Sequence, residues 1–268
     1  MIAFVGAGST DLRGIFAAFR EGSKSDPYVG AALGQEYSCH PHGWGLTLYD
    51  GIDFHHIRSS LPVWESNPAL PRMKGKVIYA IFHSRLASNP ALNTPICSHP
   101  FIAYTNKDVL LLAHNGGVEV EDPSAAQMVD SEWALSVIAK AGGLENALPE
   151  LKKRTRPNSA LNLLLLTIPR DGSMTPTIHC LNHFKTAQPE RADYYRMYTG
   201  DFAGGQVVLS STFKDLGIGG LTNIAPAPFD ELFCLGGQHT ASRNTDGDAV
   251  RTAGPPNLSV RTIIEGVV

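Results

Sequence analysis

Residues 110–120 read LLLAHNGGVEV, and the apolar run that leads into them starts at Val109. Val109-Leu110-Leu111-Leu112-Ala113 reads as a buried strand, after which the chain breaks into His114-Asn115-Gly116-Gly117. Two readings of that break stand side by side. Asn-Gly is a strong hairpin signal, because both residues tolerate positive φ. Equally, a strand that ends in an amide and two glycines can present hydrogen-bond donors beside a reaction centre. The surrounding chain has to decide between them.

Upstream, FIAYTNKDVLLLA reads as a hairpin turning at Asn106-Lys107, and KVIYAIFHS (76–84) as a further strand. WGLTLYDG and IDFHHIRS are two strands joined at Asp50-Gly51. IAFVG (2–6) is a short buried strand, followed by a helix over 11–20 with Ser9 or Thr10 as its cap and Leu12, Ile15, Phe16 and Phe19 at helical spacing. Residues 22–43 are polar and turn-rich and read as a loop.

Downstream, DSEWALSVIAKAGG is a helix with Asp130 or Ser131 at its cap and Gly142-Gly143 at its stop, and 144–154 is a second, short one. Strands return around Asp171-Gly172. PERADYYRMYTG is expected to be helical with Pro189 near its start, and QVVLSST and ELFCLGG are late strands. The tail from Gly236 is rich in Gly, Pro, Thr and Arg and is expected to wrap the surface or move. Strands, then helices, then strands point to antiparallel sheets with helices outside them, and no G-x-G-x-x-G opens a helix after a strand.

Bulk composition narrows the classes. The chain has 268 residues, 43% of them hydrophobic and 18% charged, with a net charge of −3. No basic stripe with interleaved aromatics points to nucleic acid. No apolar run reaches the ~18 residues of a membrane span. The start MIAFVGAGSTDLRG lacks the basic region of a signal peptide, so a cytoplasmic location is expected by default. Cys39, Cys97, Cys180 and Cys234 are scattered without a C-x-x-C pair, which suggests neither a disulfide framework nor a zinc site. His40-x-His42, His55-His56 and His179-x-x-x-His183 complete no ligand set, and neither a metal nor a cofactor is expected.

Four polar islands interrupt the strands: HPHGWGLTLY (40–49), FHSRLAS (82–88), LAHNGG (112–117) and VDSE (129–132). Singly each has a plain reading, as strand packing, a surface charge, a turn or a helix cap. In order and content they resemble the class II glutamine amidotransferases, the N-terminal-nucleophile (Ntn) hydrolases, and within them the stand-alone group with an H-x-D-G-W-G segment. HPF at 99–101 fits the same pattern, and the resemblance runs from Phe4 to about Gly237.

The resemblance implies an α+β fold, a four-layer αββα sandwich of two antiparallel sheets flanked by helices. Residues 1–237 would form the amidotransferase-like domain, and 238–268 a tail packed on it or extending from it. It also implies roles. Arg85 would hold the α-carboxylate of the substrate, and a planar guanidinium suits that task. Ser88 would be a neighbouring hydroxyl on the ligand, and Asp130 would pair with the α-ammonium. The Asn115 side-chain amide and the Gly116 N–H would form the oxyanion hole.

Two positions depart from the pattern. His42 stands where relatives carry Asp before Gly-Trp-Gly, and Ile2 stands where they carry the nucleophilic cysteine. An alkyl side chain cannot attack a carbonyl, and a large second residue is expected to keep Met1 in place. Cys39 stands next to His40, where a thiol can be activated, and its plain reading is an inert thiol. The expected protein therefore keeps a glutamine or γ-glutamyl pocket and an oxyanion hole but lacks cysteine-based glutaminase turnover, as a pseudoenzyme would. The alternatives are an amide hydrolase with another nucleophile or start, and a non-enzymatic subunit of a synthetase or transferase partner.

Overall fold

The computed structural model of the chain describes residues 1–120, 128–172, 175–236 and 260–265. In chain order the first half runs β1 (Ile2–Ala7), α1 (Arg13–Lys24), α2 (Val29–Leu33), β2 (Trp44–Tyr49), β3 (Phe54–Ser59), β4 (Val77–Ser84), β5 (Phe101–Tyr104), β6 (Asp108–Gly116), α3 (Asp130–Ala141) and α4 (Leu144–Arg154). The second half runs β7 (Ser159–Pro169), β8 (Thr177–Leu181), β9 (Phe184–Lys185), α5 (Pro189–Tyr195), β10 (Met197–Phe202), β11 (Gly205–Ser210), α6 (Ser211–Lys214), β12 (Leu221–Pro226), β13 (Leu232–Leu235) and β14 (Val260–Glu265).

The strands form two sheets. One has the order β12-β10-β11-β1-β4-β2-β3-β14, the other β13-β8-β7-β6-β5, with β9 attached to β7. Named neighbours pair antiparallel except at one edge, where β14 lies parallel to β3. That edge departs from purely antiparallel sheets. It also puts part of the chain's tail in regular structure, whereas 237–259 and 266–268 lie outside the described residues.

Three apolar clusters show how the elements stack. Ile15, Phe16 and Phe19 of α1 meet Ile2, Phe4, Trp44 and Phe82 on one face of the larger sheet. Ala3, Val5, Tyr79 and Ile81, from its other face, meet Leu111, Ala113, Leu164 and Leu166 of the smaller sheet. Leu110, Leu112, Leu163 and Leu165 then meet Trp133, Ile138 and Leu151 of α3 and α4. The LLLA run, and the LNLLLL run apart from Asn162, are apolar at every position because these two central strands are buried on both faces.

Local chemistry explains where elements differ from expectation. Neither Ser9 nor Thr10 caps α1; Thr10 N donates to Ala7 O in a turn, and Asp11 Oδ1 accepts Arg13 N–H at 3.0 Å. The helix then runs on to Lys24, because Gly22 and Ser23 are buried and Ser23 Oγ can donate to Phe19 O. Residues 22–43 are thus not all loop, and they include α2. Neither Asp130 nor Ser131 caps α3; Val129 holds the N-cap position, and Asp130 sits in the first turn. Gly142, left-handed at φ 73°, ends it as expected. PERADYYRMYTG is helical only to Tyr195, and Met197 already pairs in β10.

The Asp50-Gly51 connection is fastened by one carboxylate. Asp50 Oδ1 accepts the N–H groups of Ile52 and Asp53, and Oδ2 accepts those of Lys74 and Gly75 at 2.6 Å each. Burial alone would raise this carboxyl, but the four donors outweigh it and hold it below the usual range. Asp50→Asn turns an NH2 group toward N–H donors, and urea unfolding is expected to show a loss of about 2 kcal/mol.

Candidate functional site

Several strand ends and one helix start converge on a cavity of about 270 Å³. Met1 precedes β1, Ser84 closes β4 and Arg85 follows it, Asn115 and Gly116 close β6, and Ser210 closes β11. Asp130 enters from the first turn of α3, and Ser88 from the segment after β4. Arg85, Ser88, Asn115, Gly116 and Asp130 therefore line a single cavity.

Each is held by its own contacts. Arg85 is buried, with its N–H on Gly43 O and its carbonyl accepting His42 N–H, so the strand pairing of β2 and β4 extends past Ser84. Its Nη1 donates to Leu92 O at 2.7 Å, which uses one of five guanidinium donors. Burial draws the Arg85 guanidinium below its usual range, opposed by the nearby Cys97 thiol and the Asp130 carboxylate. Asp130 Oδ2 accepts Val118 N–H at 3.1 Å, and Oδ1 accepts the Ser131 hydroxyl at 3.3 Å.

Asn115 and Gly116 do not form a hairpin turn. They continue β6 opposite Asn162 and Leu161 of β7. Gly116 has φ +136°, and a Cβ built there would stand 1.8 Å from Ala160 O. Glycine is needed for both reasons.

Beneath these groups lie His83, His99 and His114, all buried and all on the cavity wall. The His83 and His99 rings stack with centroids 4.0 Å apart, and His83 Nε2 donates to His114 O at 3.1 Å. His114 Nδ1 lies 2.9 Å from Ser131 Oγ. Burial pulls all three below the ordinary imidazole range, so they are neutral at pH 7. Both His99 nitrogens and His83 Nδ1 have no hydrogen-bond partner among the described residues.

Ile2 is placed elsewhere. Successive strand residues face opposite sides, so Ile2 shares the face of Phe4 and is fully buried in the aromatic cluster under α1. Met1, just ahead of β1, reaches the cavity, and its amine donates to Ser210 Oγ at 3.0 Å. His42 Nδ1 accepts Ala87 N–H at 2.9 Å and so fastens the segment between Arg85 and Ser88, as a carboxylate oxygen would. Cys39 is half-buried and is not on the cavity wall.

Sequence reasoning had no signal for Ser210, Thr212, Tyr194 or Arg156, which also line the cavity. They come from distant segments and belong to no motif. Among the described residues no cluster of His, Cys, Asp or Glu is arranged to hold a metal ion. No helix among them is long and apolar enough to cross a membrane.

Compared by sequence, the chain matches no family model and no curated protein. Compared by structure, it is similar to the Bacillus subtilis glutamine phosphoribosylpyrophosphate amidotransferase complexed with ADP and GMP, at a TM-score of 0.54 and 14% identity over 87% of this chain. It is similar in the same degree, 0.54 and 15% over 87%, to a solved allosteric regulatory enzyme of purine biosynthesis. The chain spans about half of each, 46% of their length. At such identity the likeness is one of fold, and the fold this chain carries is one found in about half of a glutamine amidotransferase.

Proposed function

We propose that the cavity binds an α-amino acid whose side chain ends in a γ-amide, glutamine or a γ-glutamyl compound, within a four-layer Ntn-type domain spanning residues 1–237. One observation carries this reading. Arg85, Ser88, Asn115, Gly116 and Asp130, which follow the order of the class II amidotransferase motifs, line one cavity. A guanidinium and a carboxylate within reach of one another's charge form a clamp for a zwitterion, with Arg85 on the α-carboxylate and Asp130 on the α-ammonium. The Asn115 amide and the Gly116 N–H polarise the γ-carbonyl oxygen. No cysteine lines the cavity, so the ligand is held without thiol chemistry.

Isothermal titration with L-glutamine tests this. Binding is expected in the wild type, and Arg85→Ala should weaken it about 100-fold or more, because an unpaired carboxylate in a buried site costs several kcal/mol. No heat with glutamine or any γ-glutamyl compound would remove the proposal and favour a vestigial pocket in a subunit of a larger assembly.

A further inference from the structure

The segment between α1 and β2 brings to the cavity an ionisable pair that the amino-acid clamp does not use. His40 lines the cavity, and its Nε2 lies 2.7 Å from Asp26 Oδ2. Asp26 is 5% exposed. Its Oδ1 accepts Tyr28 N–H at 2.9 Å, and Oδ2 also accepts the Thr212 hydroxyl at 2.8 Å. Backbone bonds fix both partners, Asp26 N–H on Ser38 O and His40 N–H on Ser23 O, each at 2.8 Å.

Burial alone would raise the Asp26 carboxyl, but the His40, Tyr28 and Thr212 bonds outweigh it and keep it ionised. A carboxylate only accepts hydrogen bonds, so His40 donates through Nε2. In neutral His40 the remaining ring nitrogen, Nδ1, then carries a lone pair. This is the carboxylate–imidazole half of a catalytic triad, on the wall of the cavity that also holds Asn115 and Gly116.

We infer that His40, oriented by Asp26, is a general base that directs water onto the γ-amide carbon of the bound ligand. The inference rests on the amino-acid pocket proposed above. Water oxygen bonds to the amide carbon while one water proton passes to His40 Nδ1. The carbonyl oxygen takes the negative charge and rests on the Asn115 amide and the Gly116 N–H. When the intermediate collapses, the C–N bond breaks and His40 returns the proton to the leaving nitrogen. For glutamine the products are glutamate and ammonia, with one water consumed and no covalent enzyme intermediate. Asp26 is a positioning residue in this step.

The test pairs glutamine titration with measurement of ammonia release at high enzyme concentration. The wild type is expected to bind glutamine and release ammonia above the enzyme-free rate. His40→Gln should lower kcat about 100-fold while the Kd stays within about 2-fold, the size of a lost general base. Imidazole added to His40→Gly should restore part of the rate, which a merely structural role would not allow. Asp26→Asn should lower kcat about 10-fold or more, again without loss of binding. Cys39→Ser should leave the rate unchanged, and hydroxylamine should yield no γ-glutamyl hydroxamate. Binding without ammonia release, a His40→Gln rate equal to wild type, or hydroxamate formation lost in Cys39→Ser would each overturn the inference while leaving the pocket reading intact. Absence of binding would overturn both.

Discussion

Gly116→Ala is expected to cost about 4 kcal/mol or more and to lower the melting temperature by about 10 °C. Two independent features of the site require glycine. The backbone sits at φ +136°, a region that L side chains rarely adopt. A methyl group there would also stand 1.8 Å from Ala160 O and 2.4 Å from its carbonyl carbon. The clash is with backbone, so no side-chain rotation relieves it. Ala160 and Leu161 are fully buried in β7, and the Gly117 N–H already donates to Ala160 O at 3.1 Å. Relief requires the end of β6 to separate from β7, which moves the Gly116 N–H and the Asn115 amide together. Glutamine binding should therefore fall with stability. Gly117→Ala is the contrast, since its Cβ would meet only side-chain atoms of Arg156 and Ser159 at 3.3 Å, and about 1 kcal/mol or less is expected. Thermal melts of the two variants decide the point. Equal melting temperatures would show that the close approach of β6 and β7 is not rigid.

The same stretch shows what could be read from sequence and why reading stopped. The LLLA run is apolar because β6 is central, and that was visible in composition alone. Asn115-Gly116 stayed open between turn and donor pair, because both uses require the same residue types. Pairing with Asn162 and Leu161, some forty-five positions along the chain, excludes the turn, and no local pattern encodes such a partner. The hairpin over Asp50-Gly51 was legible because turn chemistry is local. The end of α5 was not, since Tyr194, Tyr195 and Met197 suit helix and strand alike, and Met197 is committed to β10 by pairing with Ser210. β14 owes its place to β3, some two hundred residues earlier.

In the site, five motif residues could be named from their order along the chain. The cavity face of β1 could not, because it depends on the strand's setting between β4 and β11, which sends Ile2 to the aromatic core and Met1 to the cavity. His40 lay in a motif, but its partners Asp26 and Thr212 were beyond reach for a simpler reason. Asp26 lies 14 residues from His40 and 186 from Thr212, and only the folded chain brings the three together.

Acid should destabilise the protein earlier than carboxylate titration alone would. His83, His99 and His114 are buried beneath the cavity, and burial holds each below its ordinary value of 6.5. His56 is buried against Phe54 with Nδ1 2.8 Å from Thr47 Oγ1, and burial, aided by the Arg58 charge, pulls it down to about 4. In the unfolded chain all four titrate near 6.5. Well above that pH both states are neutral there, and these side chains give no slope. Below it the unfolded chain binds protons that the folded chain refuses, so stability falls as pH drops through 6.5 toward the folded values. Between pH 6.5 and 5.5 His56 costs about 1 kcal/mol, and the buried His83, His99 and His114 add to the fall in the same direction. Urea titrations at pH 7.5, 6.5 and 5.5 should show stability falling at each step, first chiefly through the buried Met1 amine, which is lowered from 8.0 to about 5, and more steeply in the last step as the histidines join. His56→Asn, which leaves the cavity untouched, should remove about 1 kcal/mol of the drop between pH 6.5 and 5.5. Much of the rest comes from His83, His99, His114 and the Met1 amine, all on the cavity wall, and an unchanged free energy down to pH 5.5 would mean that these groups open to solvent and take up protons while the chain stays folded.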